Sequence, residues 1–526
     1  MHSLRNTRLP FKVSLSLLSL SLILPIQTSG LLFKPLTLPP SHPLSLQSYQ
    51  PLTSATTTTT ITTNNTTPSP LTLSTNMTLF YPAETAPHKA TILGFPSTHA
   101  VPRDLLNQTR NEIMDLAVVI SEFEPVRVHV RPEDESLARR ILNERFQKLE
   151  DINNNNNNNN NNRTKKAKAK RFNLLNRRTR DNNSKEDDIP QYHLDRITFH
   201  PCPTNHPWVR DTAPVYVLDK SNPAHRIAID FGFCEWGGKN LREINVRNEP
   251  LGLEADGEDE RSPVSSRKGY AAPDNRHWEN ARFAKRVLER EFDLDEQAEN
   301  NEIKVERVVS PLRLEGGALE VDGEGTFLAT ESSIICPHRN PSSSLTTREA
   351  IESHLRALLG VTKIIWFPGR KGLDITDCHV DGEVKFIEPG LVVQNKPHPK
   401  TGKAEMEIYK EIKEILGRET DAQGRKIRVV ELEAADPDLV GWGGDYDEGG
   451  EEELEKEQEE AAGTYVNFYF VNGGLIVPAF GDQKRDRKAV ETLRGLISPE
   501  RKIRQVYVSA LPLMGGVVHC VTQQVI

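Results

Sequence analysis

Apolar residues recur along the chain in two alternating patterns. Ile113, Leu116, Ala117 and Ile120 fall on one face of a helix, and the β-branched run that follows them at 126–130 is typical of a buried strand. The same order returns with predicted strands at 304–309, 363–367, 427–432 and 503–508, each after a helical stripe of its own. Helices that alternate with buried strands indicate an α/β fold assembled from repeated units.

Four stretches interrupt this pattern. Residues 1–76 are rich in Ser, Thr, Leu and Pro, and no acidic residue precedes Glu84. Such a composition cannot bury enough apolar surface to fold, so we expect a disordered extension followed by one folded body at 77–526. Within that body we predict solvated loop insertions at about 151–188, 249–273 and 445–460.

The first residues have the pattern of a targeting segment. Arg5, Arg8 and Lys12 precede an apolar run at 13–26, as in a secretory signal peptide. The run is shorter than the roughly 20 residues that span a membrane, and we expect no membrane attachment of the mature protein. A transit peptide has a similar composition, and translation from Met77 would give a cytosolic protein, so the compartment stays open.

Charge and cysteine content narrow the classes of function. A formal net charge of -8 argues against a nucleic-acid or anionic-membrane partner and favours cationic ligands. Five cysteines in 526 residues do not make a disulfide scaffold, and their odd number leaves at least one thiol unpaired.

Three residues suited to polar chemistry follow predicted strands at one interval. Asp211, His379 and Cys520 each lie 12 positions after a strand residue, and Glu315 follows the strand at 304–309 in a Gly-flanked turn. In repeated units around a common axis, equivalent loops converge, which would place all four residues in one site. Coincidence among many polar loop residues is the alternative.

These residue types suit chemistry on a guanidinium group. Its planar fork of donors matches carboxylates, so Asp211 and Asp381 could clamp its edges. The thiolate of Cys520 is a strong nucleophile, and a nearby imidazolium or the substrate cation would lower its pKa. His379 is the candidate proton shuttle, because imidazole titrates near neutral pH. We therefore predict a cysteine hydrolase that deiminates a guanidinium substrate.

Local sequence supports this grouping in part. His379 and Asp381 are two positions apart, so on an extended segment both would face one ligand. Gly515 and Gly516 form a glycine turn that lets backbone approach a ligand just before Cys520. Taken alone, a His near an Asp is more often a surface pair, and a lone Cys is usually a small buried hydrophobe.

Four segments together resemble the agmatine deiminase and Porphyromonas-type peptidylarginine deiminase family. They are WVRDTAP at 208–214, LEGGALEVDGEGT at 314–326, HVD at 379–381 and GGVVHCVTQQ at 515–524. The segment YPAETAPHKATILGFPS at 81–97 is similar to the start of that family. The resemblance covers residues 81–526 apart from the insertions.

The resemblance implies a five-bladed, pseudo-symmetric α/β propeller of the pentein type with the site on its axis. It implies that Cys520 is the nucleophile, His379 the general acid and base, and Asp211 and Asp381 the guanidinium-binding carboxylates. The implied reaction passes through a covalent thiouronium intermediate and needs no metal and no organic cofactor.

Further positions carry over from the motifs. Glu315 matches a carboxylate that holds the histidine or the substrate, and Trp208, Gly515 and Gly516 fall in segments expected to bind substrate. Cys378 is a departure, because it stands where the family has Gly.

Such departures leave the substrate open. Conversion of agmatine to N-carbamoylputrescine and ammonia, a step of putrescine biosynthesis, is the first expectation. Deimination of a peptide's C-terminal arginine to citrulline is the alternative, so the expected partner is a small guanidinium compound or an arginyl peptide. The sequence does not determine the oligomeric state, and a homodimer is one expectation.

Two other classes of function compete with catalysis at a guanidinium group. His379, Asp381, His519 and Cys520 are all residue types that bind zinc, although their spacing is poor for a zinc site. A propeller that binds a ligand without turnover is the second, since a fold does not guarantee an activity. Cys378 beside His379 also raises a redox hypothesis, in which it would reach Cys520 and block it on oxidation.

Overall fold

A computed structural model describes residues 78–97, 100–161, 190–238, 276–297, 305–440 and 461–526. All of these residues belong to one compact unit. The predicted extension at 1–76 and the insertions at 249–273 and 445–460 lie outside the described residues. Among the helices that are described, none is long and apolar enough to cross a membrane.

The described strands form five separate sheets of three or four strands each. The strands are β1 (Leu79–Phe80), β2 (Ala90–Gly94), β3 (Val126–Val130), β4 (Ile197–Pro201), β5 (Val215–Asp219), β6 (Asn222–Asp230), β7 (Val305–Val309), β8 (Glu320–Val321), β9 (Thr326–Thr330), β10 (Lys363–Phe367), β11 (Val384–Glu388), β12 (Leu391–Lys396), β13 (Arg428–Glu433), β14 (Tyr469–Val471), β15 (Gly474–Ala479), β16 (Lys502–Tyr507) and β17 (Gln523–Val525). The sheet orders are β1-β5-β6-β7, β10-β9-β8, β11-β12-β13, β14-β15-β16 and β17-β2-β3-β4.

The described helices connect and cover these sheets. They are α1 (Arg103–Ile120), α2 (Glu135–Asn161), α3 (Val209–Thr212), α4 (Glu235–Gly238), α5 (Arg276–Ala281), α6 (Phe283–Gln297), α7 (Glu331–Ile334), α8 (Arg348–Leu359), α9 (Lys403–Arg418), α10 (Gln483–Arg494) and α11 (Ala510–Leu513). The segment α4 is a turn rather than a regular helix, because Trp236 and Gly237 have positive φ.

Every sheet contains an antiparallel pair of strands beside a parallel pair. β11 pairs antiparallel with β12, and β12 pairs parallel with β13. The same arrangement holds in the other sheets for β5-β6-β7, β8-β9-β10, β14-β15-β16 and β17-β2-β3. Parallel neighbours need a crossover, and a helix lies between the two parallel strands in each case: α6, α8, α10, α1 and α9. The predicted α/β class is confirmed.

The predicted helical stripes are the buried faces of helices. Ile113, Leu116, Ala117 and Ile120 of α1 have no exposed surface. Burial of one large aliphatic side chain contributes about 1.5–3 kcal/mol, so a stripe of this size fixes the face that a helix turns inward. The predicted strands at 126–130 and 363–367 coincide with β3 and β10, and the other three differ from β7, β13 and β16 by one residue.

The last strand of the chain completes a sheet that begins near its described start. β17 pairs antiparallel with β2, with Gln523 opposite Ile92 and Val525 opposite Ala90. A short 3-10 turn at His519–Val521 precedes β17 directly. The ladder to β2 therefore anchors the turn that carries the predicted nucleophile.

The first predicted insertion begins as helix. α2 continues to Asn161, so the structure describes 151–161 as helix where a loop is expected. Upstream, Leu142 packs into the core cluster and Phe146 packs against it, which anchors the helix, and extension into the Asn tract costs only a few tenths of a kcal/mol per residue. Residues 162–189 lie outside the described part of the chain.

Candidate active site

A cavity of about 480 Å³ opens among the loops that follow the sheets. Its lining includes Trp208, Asp211, Trp236, His379, Asp381, Asn467, Gly515, Gly516 and Cys520. Four of the five residues predicted to be catalytic therefore face one space. The fifth, Glu315, is buried and lies behind His379.

The predicted site residues follow strands at the edges of sheets. Asp211 lies in α3 after β4, Glu315 after β7, His379 after β10 and Cys520 after β16, and each of these strands is the parallel strand at one edge of its sheet. Asn467 follows β13, the corresponding strand of the remaining sheet. The loops thus converge as predicted, although the interval is not constant: Asp211, His379 and Cys520 lie 10, 12 and 13 residues after the ends of β4, β10 and β16.

Asp211 is held by neutral donors. The indole Nε1 of Trp236 donates to its Oδ2 at 2.8 Å, and the backbone N–H of Gly317 donates to its Oδ1 at 3.1 Å. Burial raises the pKa of Asp211, and the neighbouring negative charges of Glu315 and Asp381 add to that rise against the opposing effect of His379. The carboxylate is oriented on both oxygens but only weakly compensated in charge.

His379 lies between two carboxylates. Its Nε2 is 3.3 Å from Glu315 Oε2, and its Nδ1 is 3.8 Å from Asp211 Oδ1. Burial alone would lower the pKa of His379, but the charges of Asp211, Glu315 and Asp381 raise it to about 9. The imidazole is therefore protonated at neutral pH and ready to act as an acid.

A buried arginine fixes the carboxylate behind His379. Arg339 Nε donates to both oxygens of Glu315 at 2.9 and 2.8 Å, and Arg339 Nη1 is 3.1 Å from Asp377 Oδ2. Although burial opposes it, the charge of Arg339 lowers the pKa of Glu315. Of the two roles that the family resemblance allows for Glu315, this geometry matches holding the histidine rather than the substrate.

Cys520 lies against Asp381 and an asparagine. Its Sγ is 3.7 Å from Asp381 Oδ2 and 3.5 Å from Asn467 Oδ1. The same Oδ1 of Asn467 accepts the backbone N–H of Cys520 at 3.3 Å, and Asn467 Nδ2 donates to the carbonyl of Asp381 at 3.2 Å. Burial, followed by the charges of Asp381 and Asp211, raises the pKa of the Cys520 thiol well above its usual value.

The segment that joins His379 to Asp381 is a turn rather than an extended strand. His379 itself has extended backbone, but Val380–Gly382 form a 3-10 turn, so the expectation of an extended segment is wrong after the first residue. Both polar side chains still face the cavity, and Val380 is completely buried. The curvature of the turn directs His379 and Asp381 toward the same space, as alternation along a strand would.

Two glycines are required by close packing at the site. A Cβ on Gly317 would lie 2.6 Å from His379 Nδ1 and 3.0 Å from Asp211 Oδ1. A Cβ on Gly516 would lie 2.4 Å from the Trp208 ring, so this glycine makes room for an indole as well as lining the cavity. Gly515 has a φ of 83°, which favours glycine.

Cys378 occupies a backbone conformation that suits glycine. Its φ is 71°, and Asp377 before it has a φ of 63°. Such conformations cost of order 1 kcal/mol or more each for residues other than glycine. The Cys378 side chain belongs to an apolar cluster with Ile365 and Phe367, and burial raises its thiol pKa well above the usual value. Cys378 also lines the cavity that holds Cys520, and no disulfide joins the described cysteines, so the redox hypothesis stays a prediction.

The sequence analysis missed several residues that complete the site. Trp236, Arg339 and Asn467 hold Asp211, Glu315 and Cys520, and no local motif distinguishes them. His519 was considered only as a possible zinc ligand, and Glu84, the first acidic residue of the chain, was not predicted to belong to the site. Within the described residues, no group of three or more metal-ligating side chains is arranged to hold a metal ion.

Comparisons with known proteins agree with this geometry. The sequence model of the Porphyromonas-type peptidyl-arginine deiminase family matches residues 80–525. The agmatine deiminase of Medicago truncatula is 32% identical over 342 residues, which are 63% of this chain and 78% of that relative.

Solved structures share the fold. An agmatine deiminase of Enterococcus faecalis has a TM-score of 0.59 at 24% identity and covers 85% of this chain and 96% of its own. An agmatine deiminase of C. jejuni with substrate bound has a TM-score of 0.56 at 18% identity, with 85% and 96% covered. Because the family model spans most of the chain and three of the four motifs line one cavity, the chain belongs to the Porphyromonas-type peptidyl-arginine deiminase family.

Proposed function

We propose that the protein is a hydrolase that deiminates agmatine to N-carbamoylputrescine and ammonia. The observation that carries this proposal is the cavity in which Cys520 and His379 lie beside Asp211 and Asp381. Relatives of this chain at about 30% identity carry the name agmatine deiminase.

The proposed reaction uses Cys520 as nucleophile. Asp211 and Asp381 bind the guanidinium, and the Cys520 thiolate adds to its central carbon to form a C–S bond. His379, protonated in the free enzyme, gives its proton to the departing amino group, and ammonia leaves a thiouronium on sulfur. Neutral His379 then takes a proton from water, whose oxygen adds to the same carbon. Cleavage of the C–S bond releases the ureido product and restores the thiol.

Substrate binding supplies the charge that the thiol needs. In the free site, burial and two carboxylates disfavour the Cys520 thiolate. A guanidinium between Asp211 and Asp381 offsets both negative charges next to the sulfur, which favours transfer of the thiol proton to solvent. The nucleophile is thus activated when its substrate arrives.

The distribution of charge in the cavity favours agmatine, which has a cation at each end. Among the described residues that line it, the charged side chains are acidic or histidine, with no lysine or arginine. Glu383 and Glu405 line it too, and each has a buried Oε2 that makes no hydrogen bond in the described part of the chain. Burial, followed by the charges of Asp374 and Glu405, raises the pKa of Glu383 to about 8. An ammonium group would relieve this repulsion.

The alternative substrate is the C-terminal arginine of a peptide, which the name of the family supports. Its free carboxylate would enter a cavity whose described walls supply carboxylates rather than cationic partners. We therefore place this activity second.

We also propose that the five sheets close into a five-bladed propeller around the cavity. Support comes from the shared strand pattern of the five sheets and from the pairing of β17 with β2, which joins the last sheet to the first part of the fold. Homodimerisation stays a prediction, which light scattering of the purified protein would test.

A panel of guanidines tests the proposed activity. The purified protein is incubated with agmatine, free arginine, and a peptide ending in arginine as its free acid or its amide, and ammonia is measured. We expect the highest kcat/KM with agmatine and no turnover by Cys520→Ser. Preference for the free-acid peptide would favour the alternative, and no ammonia from any guanidine would refute both.

A further inference from the structure

A second imidazole lies beside the nucleophile, and the proposed reaction gives it no role. His519, the residue before Cys520, is 1% exposed. Its Nδ1 is 2.8 Å from Asp381 Oδ2, and its Nε2 is 2.7 Å from Glu84 Oε2. The two ring nitrogens of one histidine thus bridge a carboxylate of the cavity and a carboxylate of the opening segment.

This geometry fixes the protonation of the ring. A carboxylate only accepts hydrogen bonds when ionised, so an imidazole that bonds to two of them donates from both nitrogens and carries a positive charge. Both acids favour ionisation: burial opposes it, but the charge of Lys385 lowers the pKa of Glu84 well below its usual value, and the hydrogen bond from His519 lowers that of Asp381.

Glu84 is itself rigidly placed. Its Oε1 accepts the backbone N–H of Phe470 at 2.8 Å, and its Oε2 lies 3.0 Å from Lys385 Nζ and 3.5 Å from Arg210 Nη2. The carboxylate is therefore anchored by several elements before it meets His519. A fixed acceptor on one side of the ring sets the position of the other side.

The fixed position of His519 determines the orientation of the Asp381 carboxylate. Its Oδ2 meets both His519 Nδ1 and Cys520 Sγ, so the imidazolium fixes the rotation of the carboxylate and leaves Oδ1 for the substrate. The same positive charge offsets the Asp381 charge that disfavours a thiolate at Cys520.

We infer that His519 is a positioning residue that acts together with Glu84 as one unit, by orienting Asp381 and balancing its charge beside Cys520. The inference rests on the proposed function for its effect on turnover. It extends that function by adding His519 to Asp381 and Cys520 as a third group on this side of the cavity.

A double-mutant cycle tests whether the two residues act as a unit. We expect kcat/KM for agmatine to fall about a hundredfold in His519→Gln and about tenfold in Glu84→Gln, losses within the range for removal of a charged positioning group. The double variant should fall no further than His519→Gln, within about twofold, because Glu84 acts through the missing ring. If the losses in kcat/KM of the two single variants multiply in the double variant, the inference that His519 and Glu84 act as one unit is wrong.

Alkylation of Cys520 gives a readout that needs no turnover. Labelling by iodoacetamide is followed against pH, with peptide mapping to separate Cys520 from the other thiols. We expect the pH midpoint to shift upward in His519→Gln, less in Glu84→Gln, and equally in His519→Gln and the double variant. His129→Gln, a buried histidine whose ring nitrogens have no partner among the described residues, is the control and should label like the wild type.

The two readouts separate the possible failures. Wild-type labelling in His519→Gln, with kcat/KM within twofold of wild type, would overturn the inference. Absence of agmatine turnover in the wild type would refute the proposed function, while the labelling shift would still decide the role of His519. Circular dichroism melts accompany every variant, and if His519→Gln does not fold, an unshifted midpoint in Glu84→Gln overturns the inference.

Discussion

The two carboxylates proposed to bind the guanidinium are held in different ways. Asp211 receives neutral donors, the Trp236 indole and the Gly317 backbone, and burial raises its pKa. Asp381 receives a hydrogen bond from His519, and although burial opposes it, its pKa is lowered. The pKa values of two aspartates in one cavity are therefore shifted in opposite directions, and their hydrogen-bond partners differ in kind.

Because of this difference, Asp381 and Asp211 have different roles in binding a cation. Asp381 is ionised before substrate arrives and lies against Cys520, so it is tied to the nucleophile. Asp211 is tied to the acid, because His379 Nδ1 lies 3.8 Å from it. The cavity therefore has two halves, an Asp381 half with Cys520 and an Asp211 half with His379. The substrate cation contacts both halves, and we expect substitutions in the two halves to have different effects.

Loss of charge at Asp381 should have the largest effect. Asp381→Asn removes the anion between the guanidinium and His519 and leaves the buried imidazolium with Glu84 as its remaining carboxylate partner. We expect a loss of at least 3 kcal/mol, roughly a hundredfold or more in kcat/KM for agmatine. Steady-state kinetics measure it, and Glu383→Gln, which should raise KM alone, shows whether the loss is specific.

Loss of charge at Asp211 should cost less than loss at Asp381. Asp211→Asn keeps an acceptor for the Trp236 indole, and His379, 3.8 Å away, keeps its contact with Glu315, but the substitution removes one clamp of the guanidinium. We expect a fall of about a hundredfold in kcat/KM, smaller than that of Asp381→Asn. Equal losses at the two aspartates would contradict the contrast between the two halves.

The pH profile should report His379 and its carboxylates. With a pKa of about 9, the acid form of His379 is present at neutral pH and is lost as pH rises through that value, so kcat/KM should fall above about pH 9. Glu315→Gln removes a negative neighbour and should move this alkaline limb to lower pH. An unmoved limb would mean that Glu315 does not set the charge of His379.

Removal of the indole donor should affect the Asp211 half alone. Trp236→Phe leaves one buried oxygen of Asp211 without its 2.8 Å hydrogen bond. A lost bond of this kind costs about 1–3 kcal/mol, so we expect roughly a tenfold fall in kcat/KM. Iodoacetamide labelling of Cys520 should change less than in His519→Gln, because the hydrogen bond between His519 and Asp381 is intact.

The smallest effect should come from Cys378. Cys378→Gly relieves a positive φ and loses a small buried side chain, effects of about 1 kcal/mol each that oppose one another. We expect the free energy of unfolding in urea to change by less than about 1 kcal/mol. Cys202→Gly, at a buried cysteine without positive φ, should destabilise by more, and equal losses would contradict the argument from strain.

Much of the fold could be predicted from the sequence because its signals are local. The stripe in α1 and the run at β3 are properties of neighbouring residues, and Asp211, His379 and Cys520 each follow the parallel edge strand of a sheet within 10 to 13 residues. The α/β class and the family are confirmed.

The supporting residues could not be predicted because their partners are distant in sequence. Glu84 meets His519 across 435 positions, and Asn467 meets Cys520 across 53. Neither contact has a periodic pattern. The turn at Val380–Gly382 was likewise hidden, because two polar residues at a spacing of two suit a strand and a tight turn equally.

The central claim is that Cys520 bonds covalently to a guanidinium carbon held by Asp211 and Asp381. Rapid acid quench of the protein during turnover of agmatine, followed by mass spectrometry of its peptides, tests this most directly. We predict an adduct on Cys520 with the mass of agmatine less ammonia, absent in Cys520→Ser. Turnover of agmatine with equal activity in Cys520→Ser, or an adduct confined to another residue, would contradict the claim.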